Sequence, residues 1–156
     1  RIGGEGDGFK IAVHNLAEER LSIAVHAIGM GHGILDQTIA YTKERMIFGK
    51  PVADFQNTRF KVAELAAQVQ AIGVFVDRCV DAAVEGILDV PTAAMAKMLA
   101  GELQWKIADE CLQFYGGNGY MLEYDIAHRF LDSRIRKIAG GSSEVMRDVI
   151  SRKLFS

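Results

Sequence analysis

From Phe60 onward the apolar residues Val62, Leu65, Val69, Ile72, Val76, Cys79 and Ala83 recur in alternating steps of three and four. That spacing is the seam of a helix in a left-handed bundle. The polar residues Lys61, Glu64, Asp77, Asp81 and Glu85 fall off it. At ~1.5 Å of rise per residue, a helix over roughly 53–84 would be about 45 Å long, too long for a small globule and right for a bundle. A second helical pattern covers about 18–46, and a third about 92–115 with Thr92 as its cap. After a loop at 116–120, a final helix is predicted over about 142–155, capped by Ser142 or Ser143. The only prolines, Pro51 and Pro91, stand where one helical pattern stops and another begins. Period-two alternation is nearly absent, and no internal repeat is evident. The pattern predicts an all-α fold, an antiparallel up-down four-helix bundle with short terminal helices.

Composition narrows the function classes. A chain of 156 residues with 49% hydrophobic residues supports one well-formed core, and a net charge of −2 with mixed signs supplies no basic patch for nucleic acid or a membrane surface. No apolar run reaches the length of a membrane span, so membrane insertion is not expected. Cys79 and Cys111 both lie inside apolar helical patterns, which argues against a disulfide framework and for a reduced, intracellular compartment. The chain opens on Arg1 rather than Met and continues Gly3-Gly4-Glu5-Gly6-Asp7-Gly8, so residues 1–8 read as a loop leaving an upstream domain.

Several familiar chemistries fail on spacing. Gly4-Glu5-Gly6-Asp7-Gly8 and Gly29-Met30-Gly31-His32-Gly33 do not complete G-x-G-x-x-G, and neither follows a strand. None of His14, His26, His32 and His128 has a Glu three residues before it, as a di-iron bundle requires. No Gly-x-Ser-x-Gly elbow occurs. What remains is a set of loops at helix ends. Arg45-Met46-Ile47-Phe48-Gly49-Lys50-Pro51 places a cation, an aromatic and a turn between two long helices, with Gln56 following. Gln113-Phe114-Tyr115-Gly116-Gly117-Asn118-Gly119-Tyr120 does the same after the third, and Gly140-Gly141-Ser142-Ser143-Glu144 leads into the last helix. Glycines there free the backbone, and unpaired N–H groups at a helix start suit an anion.

The series Glu19-Arg20, Arg45-x-x-Phe48-Gly49, Gln56, Gln113-x-x-Gly116-Gly117-x-Gly119-Tyr120 and Gly141-Ser142-Ser143-Glu144 resembles the carboxy-terminal helical domain of an acyl-CoA dehydrogenase. The resemblance covers essentially the whole chain and implies that residues 1–156 are one domain of a longer FAD enzyme. It implies that Arg45, Phe48, Gln56, Gln113, Gly116 and Gly117 meet the flavin of a neighbouring subunit. Ser142, Ser143 and Glu144 would meet the subunit's own FAD, and Arg20, Gly140 and Gly141 the acyl-CoA. In most of the family the position of Gly140 is a Glu that removes the substrate's α proton. In the isovaleryl and long-chain types that base instead sits on the first long helix, and Glu19 matches it. Glu18 is the rival; one residue along a helix turns about 100°, so only one of the two can face the pocket. The resemblance further implies electron-transferring flavoprotein as partner, a homo-oligomer, and a bacterial cytoplasmic or mitochondrial matrix location. The isolated domain would then be inactive. The alternatives are a helical oligomerisation module that has lost its base and an acyl-CoA oxidase-like member.

Overall fold

The computed structural model describes residues 2–156; Arg1 lies outside it. Six α-helices follow one another: α1 (Gly8–His14), α2 (Leu16–Glu44), α3 (Gln56–Val84), α4 (Val90–Tyr115), α5 (Asp125–Ile135) and α6 (Ser143–Leu154). The fold is the helical bundle that the periodicity predicts. α2, α3 and α4 are its long members, and α5 and α6 pack on α4 to complete it. The Gly-rich opening gives way at Gly8 to α1, which buries none of its residues.

The α3 seam faces inward as its spacing demands, with Leu65, Val69, Val76 and Cys79 buried and Val62, Ile72 and Ala83 half-buried. One cluster of the core joins Ile34, Leu65, Val69, Ile107, Cys111 and Ile126; a second joins Leu21, Ala24, Ala27, Val76, Cys79, Ala96 and Ala100. The alanines of the second cluster let α2 and α4 approach closely. At Gly31 a Cβ would stand 3.1 Å from Ile107 Cδ1, so this glycine belongs to helix packing and not to a phosphate loop.

Three boundaries differ from expectation. α3 begins at Gln56 because Val52–Asp54 form a 3-10 turn after Pro51. Thr92 is not the cap of α4; Asp89 is, accepting the Thr92 N–H at 2.7 Å, with Pro91 in the first turn. Between α2 and α3 two short strands, β1 (Met46–Ile47) and β2 (Lys50–Pro51), pair antiparallel. α5 itself is an addition. Among the described residues no helix is long and apolar enough to cross a membrane.

Cys79 and Cys111 are free, buried and in different core clusters, which excludes a bridge between them. Burial pushes the Cys111 thiol up from 9.0 to about 11, with the Thr38 hydroxyl beside it opposing the shift. Below pH 9 the thiol is neutral whether the chain is folded or not. Between 9 and about 11 only the unfolded chain ionises it, so stability falls as pH rises, by about 1.4 kcal/mol per unit at most. Urea midpoints followed across that window should decline, and the decline should be shallower in Cys111→Ala.

Candidate functional site

The residues singled out by sequence gather at the two ends of α2. Arg20 and Arg45 stand 25 residues apart on and just beyond one helix, about 37 Å at the helical rise. Because α2 and α4 run in the same direction, the start of α4 joins the Arg20 end and its last turn joins the Arg45 end.

At the Arg45 end the chain leaves α2 through the β1–β2 hairpin, closed by the Val52 N–H donating to Arg45 O at 2.8 Å. Its two-residue turn, Phe48-Gly49, has positive φ at both positions, 48° and 79°. That is the primed turn that matches strand twist, and Asn or Gly ordinarily fills its first position. Among the described residues Phe48 is the one non-glycine with positive φ, and its side chain is 94% exposed. Such strain, of order 1–3 kcal/mol, collects where a side chain serves a ligand.

Arg45 is fixed from three sides. Its Nη1 donates to Phe114 O at 2.7 Å, its guanidinium carbon lies 6.0 Å from the Tyr41 ring centre, and it rests against Gly116. A Cβ on Gly116 would stand 2.6 Å from Arg45 Nη2. The absence of that Cβ, at φ 56°, makes room for the guanidinium, a reason that differs from the close ligand approach expected at this glycine. Arg45, Phe48, Phe55, Lys61, Gln113 and Gly116 line a cleft of about 470 Å³. Gln56 is exposed between Phe55 and Asn57, which both line it, and Gly117 is exposed beside Gly116 in a 3-10 turn, Gly116–Tyr120.

Two features here were not read from the sequence. Tyr41 and Tyr115 stack at 3.9 Å between ring centres with Tyr124 edge-on, and Asn118 Nδ2 donates to Tyr41 Oη at 2.9 Å. Lys61 and Glu110 form an ion pair across α3 and α4 inside the cleft. Tyrosines near helix ends carry no spacing signal that separates a stack from ordinary core.

At the other end the loop of residues 136–142 lies on the first turns of α2 and α4. Gly140 and Gly141 have φ of 67° and 101°. A Cβ on Gly140 would stand 2.6 Å from Ile23 Cδ1, so the loop packs on the face of α2 that carries Ile23. Glu19 is one turn before Ile23, on the same face, and is exposed. Glu18 lines a separate hollow with Leu21, Val25, His26 and Val80, toward α3. Glu19 thus shares its helix face with the Gly140 contact, and Glu18 does not.

Arg20, which the resemblance pairs with the acyl-CoA, lies under the loop. It is 6% exposed, and its Nε donates inward to Gly140 O at 3.4 Å. The N–H groups at the start of α6 are also largely engaged: Ser143 N–H donates to Lys137 O at 3.1 Å, and Val145 N–H to Ser142 Oγ at 3.4 Å. Ser143 Oγ is buried without a partner. The carboxyl of Glu144 is held below its usual range, first by its own backbone N–H and then by the Ser142 hydroxyl, though the residue is exposed. Among the described residues no group of three or more His, Cys, Asp or Glu is placed to hold a metal ion.

The family profile described as "Acyl-CoA dehydrogenase, C-terminal domain" matches residues 6–155. The long-chain specific acyl-CoA dehydrogenase of mouse mitochondria is 41% identical over 155 residues, which cover 99% of this chain and 36% of that protein. The butyryl-CoA dehydrogenase structure from Megasphaera elsdenii superposes with a TM-score of 0.92 at 34% identity, covering 99% of this chain and 40% of that one. A chain in a structure of the electron transferring flavoprotein of Acidaminococcus fermentans superposes with a TM-score of 0.92 at 34% identity, covering 98% and 40%. The chain thus spans about two fifths of the length of these relatives.

Proposed function

The chain belongs to the acyl-CoA dehydrogenase family, whose C-terminal helical domain it matches, and from that premise we propose that it forms the helical wall of an enzyme that removes two hydrogens from an acyl-CoA thioester. In this reading residues 1–156 are one domain of a longer protein. Glu19 takes the proton from the α carbon, and the electron pair of that C–H bond becomes the new α,β double bond as hydride leaves the β carbon. FAD, when bound, accepts that hydride.

The observation that carries the proposal is the contact of Gly140 with the Ile23 turn of α2. Most family members place the base at the position of Gly140, and here that position lies against the helix face that bears Glu19. A carboxylate from either side reaches one space, so the loss of Glu at 140 leaves the chemistry intact. Closing a pocket over Glu19 with the rest of the protein would exclude water and raise its pKa toward neutrality, improving it as a base. The Gly140 N–H would face the thioester oxygen as enolate charge develops.

The Arg45 end suits a flavin. A fixed guanidinium answers a pyrophosphate, and an exposed aromatic beside it answers the flat ring system. With about 39 Å between this end and Glu19, a single dinucleotide does not serve both. The Arg45 cleft, with Phe48, Gln56, Gln113 and the Gly116-Gly117 turn, is therefore assigned to the flavin of a second copy. Ser142, Ser143 and Glu144, at the start of α6, are assigned to the chain's own flavin. Electron-transferring flavoprotein is the proposed acceptor. The full-length protein should carry a visible flavin band that acyl-CoA bleaches under anaerobic conditions. A protein that purifies with flavin and is not bleached by acyl-CoA of any chain length would sink this reading in favour of a non-catalytic module.

A further inference from the structure

Lys97, two turns into α4, is fully buried and is the largest side chain so enclosed among the described residues. Its ammonium donates to Gly141 O. It enters none of the ion pairs among the described residues. Burial, and then the like charge of Arg20, lower its pKa below the lysine value of 10.5. The carboxylates of Glu102 and Glu144 act the other way but pair with Arg147, not with Lys97. A buried cation without an ion-paired carboxylate is costly, and a methionine of similar length would fill the same space without that cost. Packing alone does not account for a lysine here.

What Lys97 holds is specific. On α4 it begins a stripe with Gly101 and Gln104, at steps of four and three on one helix face. A Cβ on Gly101 would stand 3.1 Å from Arg136 O, and Gln104 Nε2 donates to Ser133 Oγ at 3.1 Å. The segment from Ser133 to Gly141 is thus laid along this stripe, with Lys97 fixing its far end. From α2, Arg20 grips the adjacent carbonyl of Gly140 at 3.4 Å. Two cations from two helices hold two consecutive carbonyls, both belonging to glycines at positive φ. These are the positions with the widest conformational choice in the loop.

We propose that Lys97 is a positioning residue for proton abstraction: with Arg20 it clamps the carbonyls of Gly140 and Gly141 and so fixes the loop backbone that faces the Glu19 turn of α2. The inference rests on the reading of Glu19 as the base. It assigns Lys97 no contact with substrate or flavin; the residue acts through the loop.

The test uses the full-length holoenzyme. In Lys97→Met, flavin content and the KM for acyl-CoA should stay within about twofold of the parent, while the rate constant for flavin reduction falls about 10- to 10²-fold, the cost of a small misplacement of positioned groups. Amide hydrogen exchange at residues 140–143 should rise, with the interior of α4 unchanged. In Lys97→Ala, added propylammonium should restore part of the rate and propanol of similar size should not, which separates a charged donor from filled volume. This arm also decides the matter if Lys97→Met does not fold. Parent rates in Lys97→Met, or equal rescue by propanol, overturn the proposal. If the parent itself is not reduced by acyl-CoA, the reading of the enzyme fails, whereas exchange still judges the clamp: raised exchange at 140–143 supports it and unchanged exchange overturns it.

Discussion

Glu19→Gln in the full-length enzyme is expected to lower the rate constant for flavin reduction by acyl-CoA at least about 10²-fold, the usual scale for losing a general base. Flavin content and acyl-CoA binding should remain near the parent, since Gln keeps the side chain's size and Glu19, exposed on α2, forms none of the ion pairs among the described residues. Glu18→Gln is the control. Its side chain lines the hollow toward α3, so its rate should be close to parental. Stopped-flow reduction of both variants reads the contrast directly, and a parental rate in Glu19→Gln would falsify the assignment. Moving the carboxylate to position 140 meets an obstacle: the backbone there has φ 67°, and a Cβ would stand 2.6 Å from Ile23 Cδ1. Gly140→Glu should therefore restore activity to Glu19→Gln better when Ile23 is also shortened to Ala.

The second large effect is predicted at the opposite end of α2. Arg45→Ala removes a charged donor, and hydrogen bonds to charged groups are worth about 1.5–3 kcal/mol each, so FAD should bind about 10- to 10²-fold more weakly. Gly116→Ala should approach the same loss without touching the charge. The added methyl would stand 2.6 Å from Nη2 at a φ of 56°, and the guanidinium would have to leave its seat against Phe114 O. At φ 56° and ψ −135° the backbone is in a region ordinarily open to glycine alone, so an alanine adds strain of about 1–3 kcal/mol of its own. Flavin content after gel filtration, and reconstitution of apoprotein with FAD, measure both variants. Retention of FAD by Gly116→Ala alongside loss in Arg45→Ala would show that Gly116 does not govern the arginine.

Much of this was legible because periodicity reports burial. The three long helices and α6 announce themselves through apolar steps of three and four, and the loops between them through glycine and proline. α5 was not, because its inward side is Ile126, Ala127 and Ser133, too few and too small to write a seam. The hairpin at Met46–Pro51 escaped because two-residue strands show no alternation, and Phe48 stands where a turn of this type favours Asn. At the site, the loop residues could be found from turn chemistry and resemblance. The direction of Arg20 and the enclosure of Lys97 could not: a cation inside an apolar helix reads equally as a snorkelling surface group. The free donors expected at the start of α6 were spent on Lys137 O and Ser142 Oγ, partners that become visible only when the loop is folded back.

α2 is a 29-residue helix without proline, with Glu19 on its first turn and Arg45 immediately after its last. In the proposed reading it is a stiff connecting rod whose two ends serve different active sites, the base for its own subunit and the guanidinium for a neighbour's flavin. An axial slip at one end arrives undiminished at the other. The assembly would then tolerate substitution in the middle of α2 less well than burial alone suggests, since one loosened rod detunes two reaction centres at once.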